Sequence, residues 1–344
     1  MIRLRTALAG LAAVTLAATA ATVPAQADDD HSGRRAHATK VFPLAPSTVG
    51  DNPEGVAWDR ASRTFFVGSV ASGTIYRASL RDSTLRPFIT PSPAAPADSA
   101  IGMKVAGGKL FVAGGPTGSV YVYDIATGAL NARFETGAGG FLNDLVVTRG
   151  GDVYVTDSFR PTLWRLSRAM VLAGSGTPEA IPVSPEIAYT AGQFNLNGIV
   201  SRDGGRSLIV VNTFSQSFYR IKIGNSPATR TITPIQAPRL PGDGLLIDRG
   251  RLLVVTGDPA QVTVLSLDRR DSRAQSERVL TDPSLHGPST IARAQDRYLV
   301  VNADFALNRQ PYTVSSLFVG PFDHDDDRGD DDHDHDDHGE QDDD

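Results

Sequence analysis

Four polar side chains stand beside a glycine or a second polar residue, each at the start of an apolar run. They are Glu54 in Asn-Pro-Glu-Gly, Asn143 in Leu-Asn-Asp, Asn197 in Leu-Asn-Gly and Asp243 in Gly-Asp-Gly. Two carboxylates and two amide oxygens make an all-oxygen set with two negative charges, which suits a hard divalent cation such as Ca²⁺ or Mg²⁺. We predict a metal site if the fold brings the four together.

The alternative is that these residues only form turns, because Asn and Asp beside Gly are common in turns. Their shared position in a repeat favours the metal interpretation. Strand-like runs begin near Glu54, Ile101, Asn143, Asn197, Asp243 and Pro288, at spacings of 47, 42, 54, 46 and 45 residues. Repeats of this length with about four strands each are typical of β-propellers.

The repeat predicts an all-β fold, a six-bladed β-propeller of four-stranded antiparallel blades. Second strands are predicted at Thr64–Gly68, Lys109–Ala113, Asp152–Thr156, Ser207–Val211, Arg251–Val255 and Arg297–Val301. Third strands are predicted at Thr74–Arg77, Ser119–Tyr123, Thr162–Leu166, Ser217–Ile221, Gln261–Leu265 and Ser315–Val319. A β-sandwich with irregular strands is the alternative, but it does not need such a repeat.

The sixth unit lacks a fourth strand, because the acidic C-terminal segment follows its third one. The strand-like run Thr39–Leu44 has no nearby partner. We predict that it supplies the outer strand of the last blade and closes the ring, which removes two exposed sheet edges.

The ends of the chain differ in composition from its middle. Residues 1–27 carry Arg3 and Arg5, an apolar stretch and the small-residue pattern Ala25-Gln26-Ala27, which together predict a secretory signal peptide and a secreted protein. Residues 28–37 are predicted to be a disordered leader, and residues 38–322 the propeller. Residues 323–344 hold 13 Asp, 1 Glu and 4 His without an apolar side chain, which predicts a disordered tail.

The composition also limits the partners. The tail is expected either to be a solvated polyanion or to bind metal ions or cationic surfaces. The chain has no cysteine, so neither disulfides nor a lipid-anchored lipoprotein is expected. No phosphate-binding loop or basic aromatic cluster indicates nucleic-acid binding. A small-molecule substrate, a monomer and no membrane span are expected.

Short motifs in order along residues 52–318 resemble those of the senescence marker protein/gluconolactonase family of six-bladed propellers, with paraoxonases as distant relatives. They are Glu-Gly-x-x-Trp from Glu54, Asn-Asp-Leu from Asn143, Asn-Gly-Ile from Asn197 and Gly-Asp-Gly-Leu-x-Ile-Asp around Asp243. The resemblance implies hydrolysis of lactones or related esters. It also implies a divalent cation, usually Ca²⁺, held by those four residues, and Asp144 matches a second, structural calcium position of paraoxonases.

Lewis-acid chemistry then suggests that the cation polarises a lactone carbonyl, with Glu54 as the anchoring ligand and Asp243 as the base that deprotonates water. Of 7 histidines only His286 lies in the predicted propeller, so a histidine dyad is excluded. His286 is expected either at the mouth of the channel or as an ordinary loop residue. Met103, Phe141 and Phe214 are expected either to wall a substrate pocket or to pack in the core.

A non-catalytic propeller remains the alternative, with a structural metal and a rim that binds a sugar, a peptide or a surface ligand. The entrances of the second and sixth units, at Ile101–Met103 and His286–Ser289, offer no acidic residue. We expect substrate rather than metal to contact the protein there.

Overall fold

Six four-stranded antiparallel sheets form the chain in the computed structural model, which describes residues 38–46, 51–92, 97–224 and 229–319. The predicted six-bladed β-propeller is thereby confirmed. The predicted signal peptide, leader and tail, at residues 1–27, 28–37 and 323–344, lie outside the described residues. Within the described part of the chain, no helix is long and apolar enough to cross a membrane.

Each blade is a meander of consecutive strands, listed here from the innermost strand outward. Blade 1 is formed by β2 (Pro53–Asp59), β3 (Thr64–Ser69), β4 (Ile75–Ser79) and β5 (Arg86–Ile89), and blade 2 by β6 (Met103–Ala106), β7 (Lys109–Ala113), β8 (Ser119–Asp124) and β9 (Leu130–Glu135). Blade 3 is formed by β10 (Leu142–Val147), β11 (Val153–Asp157), β12 (Thr162–Leu166) and β13 (Glu179–Pro182), and blade 4 by β14 (Leu196–Arg202), β15 (Ser207–Asn212), β16 (Ser217–Lys222) and β17 (Thr231–Ile235). Blade 5 is formed by β18 (Gly242–Asp248), β19 (Arg251–Thr256), β20 (Gln261–Leu267) and β21 (Ala274–Leu280), and blade 6 by β22 (Pro288–Ala294), β23 (Arg297–Asn302), β24 (Thr313–Phe318) and β1 (Lys40–Pro43).

The predicted second and third strands match these bounds to within two residues. One short helix, α1 (Arg168–Ala173), joins β12 to β13, and a 3₁₀ turn at Asp203–Gly205 joins β14 to β15. The Asp-Gly-Gly sequence predicts that turn, since both of its glycines adopt positive φ.

The ring closes in blade 6, where β1 pairs with β24 in antiparallel register from Lys40 opposite Ser316 to Pro43 opposite Thr313. The N-terminal strand is thus the outer strand of the last blade, as predicted. Phe42 of β1 is fully buried and packs edge-on against Phe65 of blade 1, with ring centroids 5.1 Å apart. This contact ties the closing strand to the first blade.

The hydrophobic core lies between blades rather than at the centre of the ring. Buried Leu, Ile, Val, Phe and Tyr side chains form one apolar cluster at each junction between neighbouring blades. Alternate side chains of each strand face opposite neighbours, so a strand buried on both faces needs the continuous apolar runs seen in the sequence. The inner strands line the central channel, and their first residues lie at one end of it.

Candidate metal centre

All four predicted metal ligands lie at one cavity of about 440 Å³ at one end of the channel. The cavity is lined by Glu54, Val70, Ile101, Phe141, Asn143, Phe194, Asn197, Thr213, Asp243 and Phe305. The four oxygen-bearing side chains come from the inner strands of blades 1, 3, 4 and 5. We call Glu54, Asn143, Asn197 and Asp243 the ligand cluster.

A β-bulge positions each member of the ligand cluster. The register of the inner strand shifts by one residue between Pro53 and Val56, and the same shift occurs in blades 3, 4, 5 and 6. Blade 2 has the same bulge, because Ile101 N–H donates to Ala113 O and Ala113 N–H donates to Gly102 O. Ile101 and Gly102 therefore both lie opposite Ala113. Bulges re-aim side chains, and here they direct one residue from each of blades 1 to 5 to the cavity.

The glycines of the motifs follow from close contact between inner strands. A Cβ on Gly55 would lie 1.9 Å from the carbonyl oxygen of Ile101 in the next blade, and one on Gly198 would lie 2.3 Å from that of Asp243. Neither glycine has a positive φ, and both lie within strands. They are therefore required by packing around the ring, and the alternative that these motifs are turns is wrong.

Two oxygens of the ligand cluster lack a hydrogen-bond partner in the part of the chain that the structure describes. Glu54 Oε2 and Asn143 Oδ1 are buried, and no hydrogen bond reaches either among the described residues. Buried polar atoms normally have partners, and an unsatisfied one costs about 1–3 kcal/mol. A cation bound between them would supply the missing contacts, so the residues present fit an oxygen-coordinated divalent metal.

Neighbouring hydroxyl groups hold two of these ligands. Asn143 Nδ2 donates to Ser158 Oγ at 3.0 Å, and Ser158 Oγ donates to Leu196 O at 2.6 Å. With its Nδ2 so engaged, the amide of Asn143 leaves Oδ1 as the atom free to coordinate. In blade 6, Ser289 Oγ donates to the backbone carbonyl of Glu54 at 2.8 Å. This bond ties the start of the inner strand of blade 6 to the ligand residue of blade 1.

Burial and mutual repulsion perturb both carboxylates. Burial, followed by the charges of Asp243 and Asp144, raises the pKa of Glu54 well above its usual range. Burial raises the pKa of Asp243 to about 7, although the hydrogen bond from Asn197 partly lowers it. Two carboxylates that resist ionisation together are stabilised in the charged form by a bound cation.

Asp144 does not join the ligand cluster. Its Oδ1 lies 2.9 Å from Lys104 Nζ and also accepts from Leu145 N–H at 2.8 Å. The lysine ammonium supplies a positive charge at the place where a second calcium would bind Asp144. The residues present therefore do not fit the second, structural calcium that the resemblance implied.

Apolar side chains form the cavity wall above the ligand cluster. Phe141, predicted as a wall residue, lies there, and its ring is 5.2 Å from Phe194 and 5.5 Å from Phe159. Ile101, at the entrance of blade 2, also lines the cavity, as do Phe194 and Phe305, which the sequence analysis missed. Phe194 lies three residues before Asn197, and Phe141 two before Asn143, so position just ahead of an inner strand was the available signal.

The structure places three predicted pocket residues away from the cavity wall. Met103 is 0% exposed in the core between blades 1 and 2, because the bulge reverses side-chain alternation after Ile101; its assignment to the pocket is corrected. Phe214 is 49% exposed and does not line the cavity, although its N–H donates to the carbonyl oxygen of Phe194, which does. His286 Nδ1 lies 3.7 Å from Asp304 Oδ2, and its ring is also outside the wall.

The fold and the site together define a six-bladed propeller with an oxygen-lined channel mouth. Among solved structures, the chain is similar to a regucalcin from Agrobacterium tumefaciens described as a calcium-binding protein, at 18% identity over 82% of this chain and 97% of that one, TM-score 0.58. It is also similar to the periplasmic gluconolactonase of Pseudomonas aeruginosa, at 16% identity over 78% and 86%, TM-score 0.52. A virginiamycin B lyase from Staphylococcus aureus is similar at 10% identity over 82% and 99%, TM-score 0.53.

These similarities confirm the resemblance to regucalcin and gluconolactonase propellers at the level of fold. No protein-family model and no curated protein sequence matches the chain. Since a lyase also shares the fold, the fold alone does not identify the reaction.

Proposed function

We propose that this protein is a divalent-cation-dependent hydrolase of lactones or related esters. The observation that carries the proposal is the ligand cluster, in which two carboxylates and two amides share one cavity and two buried oxygens have no partner among the described residues. The similarity to a gluconolactonase and to a regucalcin described as calcium-binding supports it. Calcium is the cation we propose, because it accepts carboxylate and amide oxygens in irregular geometry.

Each member of the ligand cluster has a role in this proposal. Glu54 would anchor the cation through Oε2, with Asn143 and Asn197 as neutral ligands. A cation bound there would supply Lewis acidity that polarises the carbonyl oxygen of the substrate. The apolar wall would exclude bulk water, which strengthens electrostatic interactions at the reacting carbonyl.

Asp243 is the proposed general base. Its pKa of about 7 belongs to the metal-free cavity; a bound cation would hold the Asp243 carboxylate ionised, the form that accepts a proton at neutral pH. The oxygen of an attacking water would bond to the carbonyl carbon while its proton passes to Asp243. Cleavage of the ester C–O bond would then release the alcohol oxygen, which takes that proton, so one water is consumed and a hydroxy acid is formed.

The composition of the two chain ends supports a proposal about where the protein acts. We propose that residues 1–27 direct export and that the Asp/His-rich residues 323–344 bind metal ions or cationic surfaces outside the cell. The alternative function, a propeller that binds a ligand without turnover, is an outcome of the test below.

The experiment is lactone hydrolysis by the full chain with and without chelator. We expect turnover that chelator abolishes and Ca²⁺ restores, and at least a hundredfold loss in a Glu54→Gln, Asn197→Ala double variant. The matched control is Glu135→Gln, Asn131→Ala, on the exposed edge strand β9, which should retain activity. Intact activity in the first variant would refute the proposal, and Ca²⁺-dependent melting without turnover would favour the binding protein.

A further inference from the structure

Above the ligand cluster, the described residues that line the cavity offer almost no side chain that can hydrogen-bond a substrate. The remaining lining side chains are Val70, Ile101, Phe141, Phe194, Phe305 and Thr213. Thr213 Oγ1 already donates to Gly242 O at 2.5 Å. A ligand with several hydroxyl groups would therefore lose water there without gaining side-chain donors, which is unfavourable for binding.

The aromatic side chains at this mouth are unusually exposed. Phe194 is 46% and Phe305 is 49% exposed, although large apolar side chains are normally buried. Phe159 is 42% exposed, and its ring contacts that of Phe194 with centroids 5.1 Å apart. A cluster of this kind around an apolar cavity indicates a surface that becomes covered when a ligand binds.

A buried carboxylate fixes the aromatic cluster in place. Asp157 Oδ1 accepts the backbone N–H groups of Phe141 at 2.9 Å and Phe159 at 3.1 Å, and Oδ2 accepts from Arg160 Nε at 2.6 Å and Trp164 Nε1 at 3.2 Å. The Phe141, Phe159 and Phe194 rings contact one another with centroids 5.1–5.5 Å apart. The part of the apolar surface formed by Phe141, Phe159 and Phe194 is thus in place before a ligand arrives, which reduces the entropy lost on binding.

We propose that the cavity selects lactones or esters carrying an apolar alkyl or aryl substituent over polyhydroxylated sugar lactones, with Phe194 and Phe305 as specificity-determining residues. This inference rests on the proposed function. The reacting carbonyl would face the ligand cluster while the substituent packs on the two rings. Burying one methylene there favours binding about fourfold, so affinity rises with chain length until the cavity is filled.

The test compares δ-lactones whose 5-alkyl chain grows from methyl to pentyl with D-glucono-δ-lactone. We expect kcat/KM to rise about fourfold per methylene over the first members, and to exceed that for the sugar lactone by more than tenfold. Phe194→Ala and Phe305→Ala should flatten the series, mainly through KM. Leu307→Ala is the matched control, because Leu307 is exposed in the same loop as Phe305 but outside the cavity wall.

Preference for the sugar lactone, or a series as steep in Phe194→Ala as in the unaltered chain, would overturn the inference and leave the proposed function standing. If no lactone is hydrolysed, the proposed function fails, and the inference is tested by lactone binding alone. The probe is then the apolar fluorophore ANS bound to the full chain. Displacement by the pentyl lactone but not by the sugar lactone, weakened by Phe194→Ala, supports the inference, and equal or absent displacement overturns it.

Discussion

Replacing Ser158 by alanine should weaken both the fold and the metal site. Ser158 is 0% exposed, accepts from Asn143 Nδ2 at 3.0 Å and donates to Leu196 O at 2.6 Å. The substitution leaves two buried polar groups without partners, each costing about 1–3 kcal/mol. Partial relaxation reduces the sum, so we expect a loss of about 2–4 kcal/mol in unfolding free energy. Since the amide of Asn143 is then free to rotate, calcium affinity should fall about 10–100-fold, as for other residues that orient ligands.

Urea unfolding in the presence of chelator gives the stability, and calorimetric titration of the full chain gives the affinity. The tail is the same in all variants, so differences between them report the channel. Ser119→Ala is the matched control, because Ser119 is equally buried but lies at the start of β8. It should lose stability without losing calcium affinity. Unchanged calcium affinity in Ser158→Ala, with stability reduced as in the control, would refute the role of Asn143 as an oriented ligand.

Three further predictions test the ring and its charges. Gly198→Ala should lower the unfolding free energy by about 1–3 kcal/mol or more, because its Cβ would lie 2.3 Å from Asp243 O. Gly257→Ala is the control and should leave the unfolding free energy unchanged, since the nearest atom to its Cβ would lie 3.4 Å away. Equal losses in the two variants would contradict the close packing at Gly198. Phe42→Ala should cost about 3–5 kcal/mol in urea unfolding, and a loss below about 1 kcal/mol would mean that β1 does not close the ring. In chelated protein, the pKa of Asp243 is raised to about 7, above its value of about 4 in the unfolded chain. Its contribution to stability is therefore fully present below about pH 4 and is lost as pH rises through about 7. The melting temperature should therefore fall over that window, and a fall just as steep in Asp243→Asn would count against this assignment.

Repetition made the fold predictable from the sequence. Each blade repeats the same apolar alternation and turn chemistry, so a strand assigned wrongly in one repeat can be recognised by comparison with the others. The unpaired run beginning at Thr39 had one available partner, the incomplete sixth unit, and the structure pairs them. The four oxygen ligands could be found for the same reason, since they recur at one position of the repeat.

Loops and bulges limited the prediction of the cavity. Alternation suggests that Met103 shares a face with Ile101, but the extra residue of the bulge reverses it. The loop that carries Phe194 is held by Asn195, whose Nδ2 donates to Ser158 O at 3.0 Å from another blade. Such contacts between distant segments are not encoded in local sequence, so position just ahead of an inner strand was the one local signal for Phe141 and Phe194, and the loop residue Phe305 had none.

The ligand cluster is tested most directly by a crystal structure grown in calcium. The proposed site predicts one strong calcium peak at the channel mouth, with oxygens of Glu54, Asn143, Asn197 and Asp243 within about 2.3–2.6 Å of it. Replacing calcium with a lanthanide should give an anomalous peak at the same position. A well-ordered ligand cluster with only water between its oxygens, at saturating calcium, would contradict the proposed metal centre.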